Sequence, residues 1–220
     1  MASIAYTRVV DLSQEITPDL QVFPAYPKPA FLPWTTREAH GFAAEALFLI
    51  SHAGTHIDAP LHYRPEGHAL HELRPSRFVA RAQLLDLRPQ KPRARIGPRA
   101  LRRALGRRRL ARGDAILLRT GWERMRGRDA YLDSNPGLTG EGAALLVRWG
   151  ASLVGVDTAN LDLPDATDFP GHHTLLAADV PILENLSNLG AIRADTFTLV
   201  ALPLRLRGAT GSPVRAVALV

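Results

Sequence analysis

Residues 51–62 read SHAGTHIDAPLH, and this stretch holds the chain's densest chemistry. It offers His52, His56, Asp58 and His62, with Gly54, Thr55 and Pro60 between them. Imidazole nitrogens and a carboxylate are donors that suit a borderline divalent cation such as zinc. The chain has 8 histidines in all, and three of them fall here. A single histidine beside an apolar run ordinarily packs in a core or on a surface. Three of them with an aspartate, around a glycine, point to a metal. On a strand the four would share one face. A straight strand would nonetheless hold the first two histidine Cα atoms roughly 13 Å apart, near the limit for two imidazoles on one ion. The chain must bend between them, and Gly54 permits it. Pro60 then interrupts any regular ladder. The reading is a strand that ends near His52 and turns into a metal-lined loop.

The elements around this stretch can be read in order. VVDL near residue 10 is a short strand that turns through Thr17 and Pro18. Residues 21–34, QVFPAYPKPAFLPW, carry four prolines and are expected to be a surface loop. Its aromatics, Phe23, Tyr26, Phe31 and Trp34, either wall an apolar pocket or pack the loop down. Residues 43–51 read as a buried or amphipathic strand leading into the histidines. Residues 78–87 form a further strand, and AILL at 115–118 a fully buried one. Arg119–Trp122 would end that strand on a polar pocket rim. Residues 129–136 read as loop. Thr139 is a good N-cap for a helix over 141–149, closed by Gly150. SLVGVD is then a strand ending at Asp157. This strand–helix–strand alternation requires that part of the sheet be parallel or mixed. Asp157 and Asp162 are candidates for orienting ligands or loops.

A second cluster lies in GHHTLLAADVPILENL. His172 and His173 open a short helical run, and VPILEN is a strand that places Glu184 at its tip. The chain ends in two strands joined by a Gly-Ala-Thr-Gly turn.

Composition bounds the function. At 220 residues the chain fits one domain spanning 1–220, with 46% hydrophobic and 22% charged residues. It has no cysteine, which removes disulfides, a thiol nucleophile and cysteine metal sites. There is no G-x-S-x-G elbow either, which disfavours a covalent serine route. No run approaches the roughly 20 apolar residues of a membrane helix, and the N-terminus shows no secretory h-region. A soluble cytoplasmic protein without a membrane partner is expected. The net charge of +6 is concentrated in the arginines of residues 93–112. That segment lacks aromatics, and Leu101, Leu105 and Leu110 form one apolar stripe between Pro98 and Gly106. It reads as a solvated helix face and not as a nucleic-acid surface.

The motifs resemble those of the cyclase/kynurenine formamidase family of metal-dependent hydrolases. The family signature HxGTHxDxPxH is met by His52, Gly54, Thr55, His56, Asp58, Pro60 and His62. LLRTGW, VGVDTANLD, HxxLL with IxxEN, and ALPL with GSPVRAV extend the resemblance from about Asp11 to the C-terminus. The resemblance implies an α/β fold with a mixed sheet curled into a barrel-like core and few flanking helices, the swivelling β/β/α arrangement. It implies that His52, His56 and Asp58 hold one ion and His172 a second. Asp58 and Glu184 would bridge them, with His173 as the alternative to His172. Two zinc ions per subunit are expected, with manganese the alternative. His62 is implied to be the catalytic acid/base, and Phe23, before Pro24, takes the place of a substrate-contacting Trp. A homodimer or homotetramer is implied as well.

The implied reaction is hydrolysis of a small amide, N-formyl-L-kynurenine to L-kynurenine and formate. Phe23, and Ala159 where the family carries Pro, keep cyclic amides such as isatin and other small amides or esters as the alternative substrates. A non-catalytic protein that keeps metal for structure is the alternative of another class. His62, a spare histidine beyond the ligand set, counts against it.

Overall fold

The run Ala115–Leu118 is wholly buried, and the architecture is built outward from it. The computed structural model of the protein describes residues 5–220. Its elements, in chain order, are β1 (Val9–Asp11), β2 (Ala30–Thr35), α1 (Arg37–His40), β3 (Ala44–Phe48), β4 (His56–Asp58), β5 (Val79–Asp86), β6 (Arg95–Ile96), α2 (Pro98–Leu105), β7 (Ala115–Arg119), α3 (Ala130–Asp133), β8 (Gly137–Leu138), α4 (Gly140–Arg148), β9 (Leu153–Val156), α5 (Pro170–Ala177), β10 (Ile182–Glu184), β11 (Phe197–Val200), β12 (Gly211–Pro213) and β13 (Val217–Leu219).

Nine strands form one sheet in the order β1-β13-β11-β5-β7-β9-β10-β4-β12, with β7 at its centre. The middle, β5-β7-β9-β10, is parallel. Both flanks are antiparallel, so the sheet is mixed. Each parallel step is made by a crossover carrying a helix: α2 between β5 and β7, α4 between β7 and β9, α5 between β9 and β10. Pleating sends Ile116 and Leu118 toward these helices, where they pack with Leu101, Leu145, Leu146, Leu175 and Leu176. Ala115 and Leu117 face the other way, against Leu12, Ile57, Leu183, Leu199 and Ala218 of the sheet's own strands and their extensions. One face is covered by helices and the other closes on itself, giving a mixed α/β half-barrel with few helices. Each leucine fully buried in this way contributes on the order of 2 kcal/mol.

The local readings mostly hold. Thr139 caps α4 by accepting a hydrogen bond from the Gly142 amide, and Gly150 ends it with φ of 79°. Pro98 and Gly106 bound α2. Four readings change. Residues 30–35 of the proline-rich segment form β2, because it pairs only with β3 and an edge position next to a bulge accepts Pro33. β3 is not buried: Leu47 is 63% and Phe48 52% exposed, since the two-stranded ribbon stands off the main sheet. Residues 129–136 contain the short helix α3. The C-terminus contributes three strands, β11, β12 and β13, because Gly211–Pro213 pairs with β4 at the far edge of the sheet.

Candidate metal and catalytic site

The candidate residues meet where β4 lies beside the carboxyl end of β10. The antiparallel register puts Glu184 opposite His56 and Ile182 opposite Asp58. On the other edge of β4, Pro213 faces His56 and Gly211 faces Asp58. The expected metal-lined loop is therefore half strand: His56 and Asp58 sit on β4 with parity that shares a face, and His52 comes from the turn before it. That turn is made by Gly54, with φ of 64°, the bend that the histidine spacing requires. Thr55 anchors it: its hydroxyl donates to the Asn185 carbonyl at 2.7 Å and accepts from the Gln14 amide at 3.0 Å. Pro60 ends β4 and opens the 3-10 turn that carries His62.

The donors converge. His52 Nδ1 lies 2.6 Å and His56 Nε2 3.2 Å from one Asp58 oxygen. His56 Nε2 lies 3.6 Å from Glu184. His172 Nε2 lies 3.6 Å from the other Asp58 oxygen and 3.3 Å from Glu184. His52, His56 and Asp58 form one group of potential ligands and Asp58, His172 and Glu184 a second, the atoms of each within 4.8 Å of one another. Asp58 belongs to both.

Tautomers decide what these nitrogens can do. The His56 Nδ1–H donates to the Gly54 carbonyl at 2.8 Å. The His172 Nδ1–H donates to Asp162 at 2.6 Å. Each ring thus turns its Nε2 toward Asp58 and Glu184. A carboxylate or carbonyl behind an imidazole is the arrangement that orients metal-ligating histidines. Asp162 is itself held, by the amides of Gly171 at 2.6 Å and His172 at 3.0 Å in the first turn of α5. Ring nitrogens facing buried carboxylates call for positive charge, as a proton or as a metal ion. Burial of His56 works against its charged form, yet Asp58, then Glu184, outweigh that and raise its pKa to about 9. Burial would raise the Asp58 pKa, but the charge of His56 and hydrogen bonds from His172 and His52 hold it well below the usual carboxylate range. A divalent cation fits this donor set.

His62 differs. Its ring stacks on His52 with centroids 4.0 Å apart. It belongs to neither ligand group, and among the described residues its ring nitrogens have no hydrogen-bond partner. Burial depresses its pKa to about 4; Asp58 pulls the other way, and the neighbouring histidines add to the depression. His173 is turned outward, its ring 5.1 Å from that of Tyr63. Of the adjacent pair, His172 is the one that joins the cluster.

Gln21, Phe23, Tyr26, Tyr63, Leu132 and Phe169 enclose the cavity above these groups. Phe23 lies at this cavity, its ring against that of Tyr26. Phe31 and Trp34 are on the ribbon and do not line the cavity. Arg119–Trp122 do not line it either. Thr120 and Gly121 turn inward because their amides, and the Thr120 hydroxyl, donate to buried Asp157. Asp157 thus orients a loop, whereas Asp162 orients a candidate ligand. The sequence reading passed over Thr210, whose hydroxyl lies 3.0 Å from His52 Nε2, and the cavity-lining Tyr63, Asn160, Phe169 and Asn185. Tyr63 directly follows His62, the one signal that could have marked it.

A half-barrel sheet holding paired histidine and carboxylate donors, with a free histidine beside them, defines a metal-dependent hydrolase. Residues 10–163 match the family model described as putative cyclase. The kynurenine formamidase of Salinibacter ruber is 31% identical over 212 residues, 95% of this chain and 96% of that protein. The kynurenine formamidase of Sphingopyxis alaskensis is 33% identical over 221 residues, 96% of this chain and 97% of that one. The structure of isatin hydrolase A from Ralstonia solanacearum superposes with a TM-score of 0.86 at 26% identity, covering 97% of this chain and 92% of that chain. The chain belongs to the cyclase family that includes the bacterial kynurenine formamidases. It is an enzyme, a metal-dependent amidohydrolase acting on C–N bonds other than peptide bonds.

Proposed function

We propose that the enzyme hydrolyses a small aryl amide, with N-formyl-L-kynurenine, giving L-kynurenine and formate, as the substrate the relatives favour. The observation that carries this reading is the meeting of two ligand groups at Asp58 under an aromatic-walled cavity, with His62 left free beside them. His52, His56, Asp58, His172 and Glu184 would hold the metal, two zinc ions or manganese. Such a cation supplies Lewis acidity, which polarises a carbonyl and can bring the pKa of water from 15.7 to about 7. His62, which burial keeps in its neutral form, takes the proton of the attacking water. As the oxygen bonds to the carbonyl carbon and the C–N bond breaks, it passes that proton to the departing nitrogen. Phe23, Tyr26, Tyr63 and Phe169 hold the aryl group and exclude water.

A second reading, hydrolysis of a neutral cyclic amide of the isatin type, is favoured by one feature of the cavity. No lysine or arginine lines it among the described residues, so an amino-acid carboxylate would find no cationic partner there. A non-catalytic role is disfavoured by His62, whose ring has no structural hydrogen bond to make.

We infer that the described residues, 5–220, are one domain, because β1 pairs with β13 across nearly their whole length. A homodimer or homotetramer would cover Phe31, Leu32, Trp34, Leu47 and Phe48, exposed on the ribbon. Among the described residues no helix is long and apolar enough to cross a membrane. The test is metal analysis of the purified protein with hydrolysis of N-formylkynurenine and isatin before and after chelation. Chelator-sensitive formate release supports the first reading and isatin opening the second. Failure to bind metal under any reconstitution, or turnover that survives full metal removal, would sink both.

A further inference from the structure

Asn185 follows Glu184 directly, and nearly every polar atom it owns is committed. Its amide donates to the Thr158 carbonyl at 2.9 Å. Its carbonyl accepts from the Thr55 hydroxyl at 2.7 Å and from Arg126 at 3.1 Å. Its side-chain Oδ1 accepts from the Tyr131 hydroxyl at 2.7 Å. The residue is 7% exposed and lines the cavity above the candidate ligands. What remains is Nδ2, with two N–H donors and no protein acceptor among the described residues.

The orientation of this amide is set by the network behind it. Arg126 Nε–H donates to the Tyr131 oxygen at 3.3 Å, which leaves the phenol proton for Asn185 Oδ1. Tyr131 is 1% exposed and its pKa is pushed by burial to about 12, so the phenol keeps that proton. A flipped amide would set N–H against O–H, so the network selects one orientation. The backbone is set as well. Asn185 has φ of 60°, a left-handed conformation that asparagine tolerates better than most residues and that persists where surroundings hold it. Arg126 also donates to the Leu186 carbonyl at 2.6 Å, clamping the exit of β10 from behind.

A donor fixed in advance, on a residue that lines the same cavity as the carboxylate and imidazole groups, is the arrangement that stabilises charge developing on a carbonyl oxygen. We propose that Asn185 Nδ2–H is a catalytic hydrogen-bond donor to the carbonyl oxygen of the amide substrate, with Tyr131 and Arg126 as the positioning residues that aim it. This rests on the reading of the site as an amide hydrolase. The donor's contribution grows as the carbonyl becomes tetrahedral and its oxygen gains charge, so its loss falls on kcat more than on KM.

Two measurements on the full-length, metal-reconstituted enzyme test it. The first is kinetic. Asn185→Asp keeps the shape, the tolerance for positive φ and an acceptor for Tyr131 but removes the donor. Asn185→Gly removes the donor without adding charge. Both are expected to lower kcat by about 10²-fold or more, the range found for single oxyanion donors, with KM changed only a few-fold. Metal content and thermal midpoint serve as controls in each variant. Tyr131→Phe leaves the donor in place but frees it, and is expected to cost about 10-fold in kcat. Unchanged kcat in both Asn185 variants overturns the proposal.

The second measurement does not need turnover. In ¹⁵N-labelled protein the Asn185 side-chain amide, assigned by its disappearance in Asn185→Asp, should show one proton shifting downfield on addition of acetophenone, an aryl ketone with no bond to hydrolyse. A resonance that stays put overturns the assignment. If it shifts while no amide is turned over, the donor stands and the proposed reaction fails. If amides are turned over equally by wild type and both variants, the reaction stands and the donor fails.

Discussion

The rings of His62 and His52 stack 4.0 Å apart and 25° from parallel, yet they have opposite surroundings. His52 is tied at both nitrogens, by Asp58 at 2.6 Å and Thr210 at 3.0 Å. His62 is tied at neither among the described residues. The stack fixes the plane of His62 through its neighbour and leaves both of its nitrogens available, one arrangement serving a candidate ligand and a proton carrier together. His62→Ala is therefore expected to keep its metal and lose about 10² to 10⁴ in kcat, the range of a positioned acid/base. Metal analysis alongside steady-state kinetics checks this. Turnover near wild type would remove His62 from the chemistry, and loss of metal would make it a ligand.

Asp162 belongs to neither group of candidate ligands, but it accepts three hydrogen bonds that fix His172 and the first turn of α5. Asp162→Asn puts an N–H where one of these acceptors stood. His172 Nε2 then loses its fixed aim and part of its basicity. Metal affinity is expected to fall by about 10- to 100-fold, with little change in substrate KM once metal is saturating. A competitive chelator titration reads the first and kinetics at excess metal the second. Wild-type affinity would mean that His172 does not bind the metal.

The cluster of candidate ligands was legible in the sequence because two of its parts are local. His56 and Asp58 share a face of one short strand, and Gly54 announces the bend that brings in His52. Glu184 was legible as the tip of a buried strand, although the register that sets it opposite His56 is not local and comes from pairing across the sheet. The His172–Asp162 bond spans ten positions and a loop, so sequence alone left Asp162 as one of two equal candidates. The ribbon was misread for a physical reason. The prolines of residues 21–34 hid β2, and the apolar residues of β3 look like those of a strand packed on the core, since nothing local says that the ribbon leaves the main sheet and keeps them exposed. Thr210 and Asn185 lie 158 and 130 positions from the residues they touch in the first cluster, beyond any spacing argument.

Asp157 carries a stability prediction with a definite sign. Burial raises its pKa from 3.8 to about 6, although Thr120 and Gly121 donate hydrogen bonds to its ionised form. Between pH 3.8 and about 6 the folded protein keeps a proton that the unfolded chain has released. Stability therefore falls as pH rises through that window, by on the order of 3 kcal/mol from this group. In Asp157→Asn that contribution vanishes, so the difference between variant and wild type should change by that amount between pH 4 and pH 7. Urea unfolding at the two pH values measures it. A difference independent of pH would show that the hydrogen bonds from Thr120 and Gly121 outweigh burial and keep Asp157 ionised throughout.

Gly211 sets how closely β12 can approach the first cluster. A Cβ at this position would lie 2.6 Å from His52 Cε1 and 2.8 Å from the Ile57 carbonyl oxygen. The carbonyl belongs to a paired strand and cannot retreat, so the imidazole must. Gly211→Ala should then cost about 1 to 3 kcal/mol in stability from overpacking, read as a lowered thermal midpoint of the metal-free protein. The informative readout is metal affinity in the same variant. Displacing His52 from Asp58 should weaken binding at the group formed by His52, His56 and Asp58 while sparing the group formed by Asp58, His172 and Glu184. In a two-metal site, isothermal titration would show one of two binding steps weakened. A destabilised variant that binds metal as wild type does would separate His52 from the ligand set and leave it a packing partner for His62.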